Sequence, residues 1–258
     1  MSLRPTEDQA EDPLGGPWYR RWFGEAYLEL YPHRDEEEAG HAVQLLLDHG
    51  QLGPGASVLD LACGAGRHLR SLREHGLQAL GLDLSSPLLL RAKALAPEER
   101  LVRADMRVLP FASDRFSAVT SFFTSFGYFA SDDDDRQVLS EIRRVLRRGG
   151  CLLLDFLNAD RVRETLTARD EREVDGRRVV QERRLVDGGR AVEKTIRIER
   201  GGGREPELFQ ERVRLYPPGE LSALLIGSGL TPDRWFGDYQ GRALSDSAPR
   251  VIALAHAS

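Results

Sequence analysis

Only two cysteines and two lysines occur in this chain of 258 residues. Cys63 and Cys151 each sit in an apolar, strand-like context, and two thiols cannot build a disulfide framework or a multi-cysteine metal site. Both read as small buried residues. Lysine is confined to positions 93 and 194, so positive charge is carried almost entirely by arginine, a bias to which no function is attached. No apolar run approaches the ~18 residues that a membrane-spanning helix needs. The opening Met1-Ser2-Leu3-Arg4-Pro5 leads into acidic sequence containing Pro and Gly, without the apolar stretch of a secretory signal, so a cytoplasmic protein is expected. A net charge of -5 and a pI near 5.8 exclude a general attraction to nucleic acid or to anionic membrane.

The sequence that is present divides into four segments. Residues 1–50 are expected to form a polar tail followed by a helical lid, with Trp18, Tyr19, Trp22, Phe23, Tyr27, Leu28 and Tyr31 crowded on an aromatic stripe. A second helix is expected from Glu36 to Gly50, after Pro32. Residues 51–160 alternate strand and helix: strands at 57–61, 79–82, 100–104, 116–123 and 150–157, helices at ~66–75, 87–95 and 132–146. Such alternation implies a Rossmann-like, mostly parallel sheet of seven strands with helices on both faces. Residues 161–216 change period. In Val192-Glu193-Lys194-Thr195-Ile196-Arg197-Ile198 apolar residues largely alternate with charged ones, which implies an antiparallel insertion of three or four strands, one face covered and one wet. Residues 217–258 return to the core with a helix at 221–228 and two closing strands.

The chemistry concentrates where strands end. Val58-Leu59-Asp60-Leu61 runs into Ala62-Cys63-Gly64-Ala65-Gly66 and then a helix. Glycine lets backbone approach a ligand without a Cβ in the way, and a helix N-terminus offers unpaired N–H groups. Asp83 ends the second strand about 20 residues later, where a carboxylate can accept from a ribose diol. After the third strand comes Ala104-Asp105-Met106, where a carboxylate and a neighbouring N–H can read a purine edge. The fourth strand ends in Ser121-Phe122-Phe123-Thr124-Ser125-Phe126-Gly127-Tyr128-Phe129, and Arg144-Val145-Leu146-Arg147-Arg148-Gly149-Gly150 leads into the fifth.

In this order the segments resemble the class I S-adenosylmethionine-dependent methyltransferases, closely over residues 55 to 157 and more loosely over 217–256. The aromatic run and the β-rich insertion look like bacterial small-molecule methyltransferases, including sugar-amine N-methyltransferases. The resemblance implies S-adenosyl-L-methionine as cofactor, S-adenosyl-L-homocysteine as product and a small-molecule acceptor. It implies that Ala62, Cys63, Gly64 and Gly66 wrap the methionine end, with Asp60 near its amino group. Asp83 would hold the ribose, Leu84 and Met106 would flank the adenine that Asp105 reads, and Phe122 or Phe123 would lie near the sulfonium. Tyr27 and Tyr31 would close over the cofactor.

Competing readings differ at particular residues. An NAD-dependent oxidoreductase would carry a third glycine where Leu69 stands. A cofactor-binding sensor or scaffold shares the same motifs, which describe binding rather than catalysis. An RNA methyltransferase is disfavoured because acids nearly balance the arginines of the insertion. His33, His41 and His68 are candidate bases by type only, and no catalytic residue is assigned. The Asp132-Asp133-Asp134-Asp135 run precedes a helix start, so it reads as capping rather than as a metal site. The residues leave open whether nitrogen, oxygen or carbon accepts the methyl group, and they set no oligomeric state.

Overall fold

The computed structural model describes residues 17–31, 36–201 and 204–258. His33 and Pro32 of the lid, the tail before Pro17, and Gly202 and Gly203 lie outside the described residues. A seven-stranded sheet has the order β10-β11-β5-β4-β1-β2-β3, and a second sheet has the order β6-β7-β8-β9. The large sheet comprises β1 (Ser57–Leu61), β2 (Gln78–Asp83), β3 (Leu101–Arg103), β4 (Phe116–Ser121), β5 (Leu146–Leu157), β10 (Leu230–Phe236) and β11 (Arg250–Ala257). Its first five strands pair in parallel, while β11 runs antiparallel to both β5 and β10.

Burial follows from this order. Every residue of β4 is buried, as a central parallel strand covered by helices on both faces requires. The helices are α3 (Glu36–His49), α4 (Arg67–Glu74), α5 (Ser86–Leu95), α6 (Asp132–Val145), α7 (Ala159–Thr165) and α8 (Pro218–Gly227). One face is filled by α6 and α8 through Val138, Leu139, Ile142, Leu221 and Leu225, the other by α3 and α4 through Val43, Leu46, Leu69 and Leu72. From β1 the chain builds outward in both directions, to β2 and β3 on one side and to β4 and β5 on the other. That reversal opens a crevice at the carboxyl ends of β1 and β4.

Three local features depart from the sequence expectation. The aromatic stripe is not one helix: Gly24 separates α1 (Trp18–Trp22) from α2 (Glu25–Leu30). The fifth strand begins four residues early, because Leu146 already pairs with Phe116 before Arg147 to Gly149 bulge out. Gly149 takes φ +71°, and a Cβ on Gly150 would sit 2.8 Å from the Arg147 carbonyl, so the glycine pair makes the bulge possible. Finally α7 follows β5, its first amides capped by Asn158 Oδ1 at 3.2 and 3.4 Å while Asn158 Nδ2 donates to the carbonyls of Ser245, Asp246 and Ala248.

The small sheet is an antiparallel meander of β6 (Arg169–Val174), β7 (Arg177–Val186), β8 (Ala191–Glu199) and β9 (Glu207–Arg214). Val179, Ile196, Ile198 and Phe209 form its covered face and pack on Trp18, Trp22, Ala26 and Leu30 of α1 and α2. Trp22 is fully buried there. Together the N-terminal helices and this sheet stand over the open crevice. No helix among the described residues is long and apolar enough to cross a membrane.

Candidate functional site

The turn after β1 is shaped by positive backbone angles. Ala62, Gly64 and Gly66 take φ of +57°, +55° and +80°. A non-glycine residue in this region is uncommon, and at Ala62 it marks a turn held against its local preference. Asp83, at the end of β2, supplies the constraint. Its Oδ2 accepts from the Gly64 amide and its Oδ1 from the Ser85 amide, both at 2.8 Å, so one buried carboxylate ties the β1–α4 turn to the β2–α5 turn. Burial raises the Asp83 pKa, and those backbone donors work against the rise. The close approach of α4 to the sheet is made possible from the strand side: a Cβ on Gly81 would meet Cys63 Sγ at 2.7 Å and Leu69 Cδ2 at 2.9 Å. Gly81 thus removes on β2 the bulk that a dinucleotide-binding turn removes on its helix.

A cavity of about 1530 Å³ opens beside these turns. Its walls include Ala62, Cys63, Gly64, Asp83, Leu84, Asp105, Met106, Phe122, Phe123 and Tyr31. Asp60 and Gly66 are not in the wall. Gly66 is the residue before α4, and a Cβ there would press on Ala92 of α5 at 3.3 Å, so α5 packs close against this position. Asp60 is buried; Thr120 donates to its Oδ1 at 3.1 Å, while Oδ2 has no hydrogen-bond partner among the described residues. Burial, with the neighbouring Asp83 charge, pushes its carboxyl up to about 7 despite the Thr120 bond. Asp105 faces the opposite influence: Arg107 donates to both of its oxygens, at 3.1 and 2.8 Å, and holds its pKa below the usual carboxylate range.

The end of β4 is the most strained part of the wall. Phe123 and Thr124 are consecutive non-glycine residues with φ of +58° and +63°. Asp155 of β5, completely buried, holds them in place: its carboxylate accepts from the Phe123 amide at 2.6 Å, and its backbone carbonyl accepts from the Thr124 amide at 3.1 Å. The same carboxylate accepts from Tyr239 and from Arg250, whose Nη2 also donates to Thr124 Oγ1 at 3.1 Å. Arg250 reaches the cavity wall and its guanidinium lies 5.4 Å from the Phe123 ring, which Arg67 approaches at 4.7 Å from its own side. Burial works against the Arg250 charge, yet the attraction of Asp155 leaves its pKa above the ordinary value.

Sequence reasoning did not find Asp155, Tyr239 or Arg250. One signal was available: Leu152-Leu153-Leu154-Asp155-Phe156-Leu157 places a single carboxylate in an otherwise apolar strand, and a buried carboxylate needs partners. Of the candidate bases, His68 lines the cavity with its ring stacked on Phe122 at 4.4 Å, whereas His41 is exposed on α3. The four acids at 132–135 diverge: Asp132 pairs with Arg214, Asp133 with Arg136, Asp134 with Arg107, and Asp135 accepts from Tyr216. Ser131, whose hydroxyl accepts from the Asp134 amide, is the cap. Among the described residues no group of acids, histidines and cysteines is arranged to hold a metal ion.

Two nucleotide-type turns joined by one carboxylate, at the switch point of a sheet with an antiparallel last strand pair, define a class. Residues 58–150 match the methyltransferase domain family. The chain is similar to the glycine/sarcosine N-methyltransferase of Aphanothece halophytica, 29% identical over 61% of this chain and 63% of that one. It is also 29% identical to the dTDP-3-amino-3,4,6-trideoxy-alpha-D-glucopyranose N,N-dimethyltransferase of Streptomyces venezuelae, over 51% of this chain and 55% of the other. The chain therefore spans between about half and 63% of the length of these relatives. In overall fold it resembles the CcbJ methyltransferase of Streptomyces caelestis, with a TM-score of 0.77 at 19% identity over 93% of this chain and 98% of that one.

Proposed function

We propose that this protein binds S-adenosyl-L-methionine at the carboxyl ends of β1, β2 and β3 and passes its methyl group in line to a small molecule seated beneath the four-stranded sheet. The observation that carries this reading is the Asp83 carboxylate bridging the Gly64 and Ser85 amides at the rim of a cavity of about 1530 Å³. A single ligand site typically occupies roughly 300–1,000 Å³, so the space accommodates a cofactor and an acceptor together.

The residues fit the cofactor. Ala62, Cys63 and Gly64 present backbone to its methionine end, and Asp60, with one buried oxygen unpaired, lies behind them as a counter-charge for an ammonium group. Asp83 retains lone pairs for a ribose diol. Leu84, Met106 and Asp105 line the same cavity, where the two apolar side chains would flank the adenine and the carboxylate would meet its edge. When bound, the cofactor supplies a methyl group already activated on a sulfonium, so the protein's work is alignment and exclusion of water. Phe123, fixed by Asp155, and Tyr27, Tyr31 and Tyr128 line the cavity, and aromatic faces stabilise a cation by roughly 0.5–2 kcal/mol. The acceptor side is built by Leu157, Val162, Val192 and Val213 from β5, α7 and the small sheet. We extend the division of labour to the whole chain: residues 1–50 as tail and lid, 51–160 and 217–258 as cofactor core, 161–216 as acceptor module.

The relatives named above act on a small amino acid or on an amino sugar, which supports a small acceptor over a macromolecule. Formation of S-adenosyl-L-homocysteine, followed by chromatography across a panel of small amines, alcohols and acids, tests the proposal. Product with at least one acceptor, abolished in Asp83→Ala, is expected. A chain that binds the cofactor but turns over no acceptor would instead be a sensor or scaffold.

A further inference from the structure

The covered face of the four-stranded sheet carries an apolar cluster, Val179, Ile196, Ile198 and Phe209, beside which a charged rung lines the cavity. Strand pairing sets residues opposite one another in rungs across β7, β8 and β9: Gln181–Ile196–Phe209, then Arg183–Lys194–Glu211, then Leu185–Val192–Val213. Side chains on alternate positions share a face, so the middle rung points the same way as Ile196 and Phe209. All three of its charged residues line the cavity. Lys194 and Glu211 are only 17% and 18% exposed.

Placing charge on a partly buried surface costs desolvation unless it is paired. The rung is also held in a defined arrangement. Glu211 accepts from Lys194 through Oε2 and from Trp22 Nε1 of α1 through Oε1, so both carboxylate oxygens are engaged. Arg183 donates to Asp170 and to Gln181 Oε1. What the rung retains is donor capacity. An ammonium has three N–H groups and Glu211 takes one, so Lys194, which lines the cavity, keeps two for a ligand. Asp170 balances Arg183 and Glu211 balances Lys194, so what the rung offers a ligand is spare N–H donors and not net charge.

We propose that Lys194, flanked by Arg183 and steadied by Glu211, docks an anionic oxygen group of the methyl acceptor, a carboxylate or a phosphate, while the Leu185–Val192–Val213 rung covers the acceptor's apolar part. This rests on the reading of the cavity as a methyl-transfer site. It narrows the acceptor to molecules that carry a negative group away from the atom receiving the methyl.

The test is a titration of the full chain with inorganic phosphate and, separately, with acetate at constant ionic strength, on the bare protein and on protein loaded with S-adenosyl-L-homocysteine. Tryptophan fluorescence reports binding, because Trp22 is bonded to Glu211. Saturable binding of at least one anion is expected, and the stronger arm tells phosphate from carboxylate. Lys194→Met should weaken it about tenfold or more, since a charge-assisted hydrogen bond is lost. Lys194→Arg should retain affinity within about threefold, and Glu211→Gln, which frees the ammonium, should bind at least as tightly as wild type. No saturable binding of either anion to the wild type, or equal affinity in Lys194→Met, overturns the proposal. A rung that only pins α1 to the sheet would lower thermal stability in these variants without moving the anion affinity. Loss of homocysteine-adduct binding with anion binding intact would sink the methyl-transfer reading and spare the Lys194 site; the reverse result would do the opposite.

Discussion

Arg250 of β11 and Asp155 of β5 lie diagonally across an antiparallel pair, and their ion pair holds the backbone of Phe123 and Thr124 in the left-handed region. Each partner alone would be a buried, uncompensated charge. Together they convert a conformation that costs on the order of 1–3 kcal/mol per residue into a fixed part of the cavity wall.

Breaking that pair is therefore expected to cost more than a surface ion pair. Arg250→Met should lower the free energy of unfolding by about 3–5 kcal/mol in urea titration, because Asp155 is left buried and charged. Arg250→Lys should recover part of the loss. A change below about 1 kcal/mol would mean that Phe123 and Thr124 hold their geometry without it.

Gly81→Ala probes the close packing behind the β1–α4 turn. Its Cβ would stand 2.7 Å from Cys63 Sγ, 2.9 Å from Leu69 Cδ2 and 3.0 Å from Leu101 Cδ2. Overpacking of this kind costs about 1–3 kcal/mol. Because Cys63 must move, cofactor affinity should fall as well; Gly53→Ala, with no atom within 4 Å of the added Cβ, should change neither.

Two buried carboxyls set a pH dependence. Asp135 and Asp60 are each pushed up to about 7, in both cases chiefly by burial. For a carboxyl whose folded pKa lies above its unfolded value, the protonated form is favoured by folding. Its contribution is complete below the unfolded pKa, near 4, and is lost as pH rises through about 7. The ligand-free protein should thus melt at a lower temperature at pH 8 than at pH 5.5. Asp135→Asn, which can still accept from Tyr216, should be more stable than wild type at pH 8 by on the order of 1 kcal/mol, with the gain gone at low pH. Parallel melting curves for the two proteins across this range would contradict the assignment.

How much was legible in the sequence followed from how local each signal was. The β1–α4 turn, Asp83 and Asp105 could be read because strand, turn and acid lie within a few residues of one another. The cavity wall at β4 could not be, since Phe123 depends on Asp155, Tyr239 and Arg250, which converge only when β11 enters the sheet. The insertion shows the limit of alternation. Its period implied one apolar face and one charged face, yet Lys194 shares parity with Val192, Ile196 and Ile198 and so falls on the covered side. Asp60 was placed at the cofactor's amino group by its neighbours in the motif; its side chain lies behind the wall, where strand β1 turns it toward Thr120.

Calorimetric titration of the purified chain with S-adenosyl-L-methionine and S-adenosyl-L-homocysteine, with NAD as control and Asp83→Ala alongside, tests the central claim most directly. Micromolar binding of both sulfur nucleotides, weakened at least about tenfold in the variant and absent for NAD, is the predicted result, since Asp83 both shapes the turn and meets the ribose. Undiminished binding in Asp83→Ala, or heat only with NAD, would contradict it.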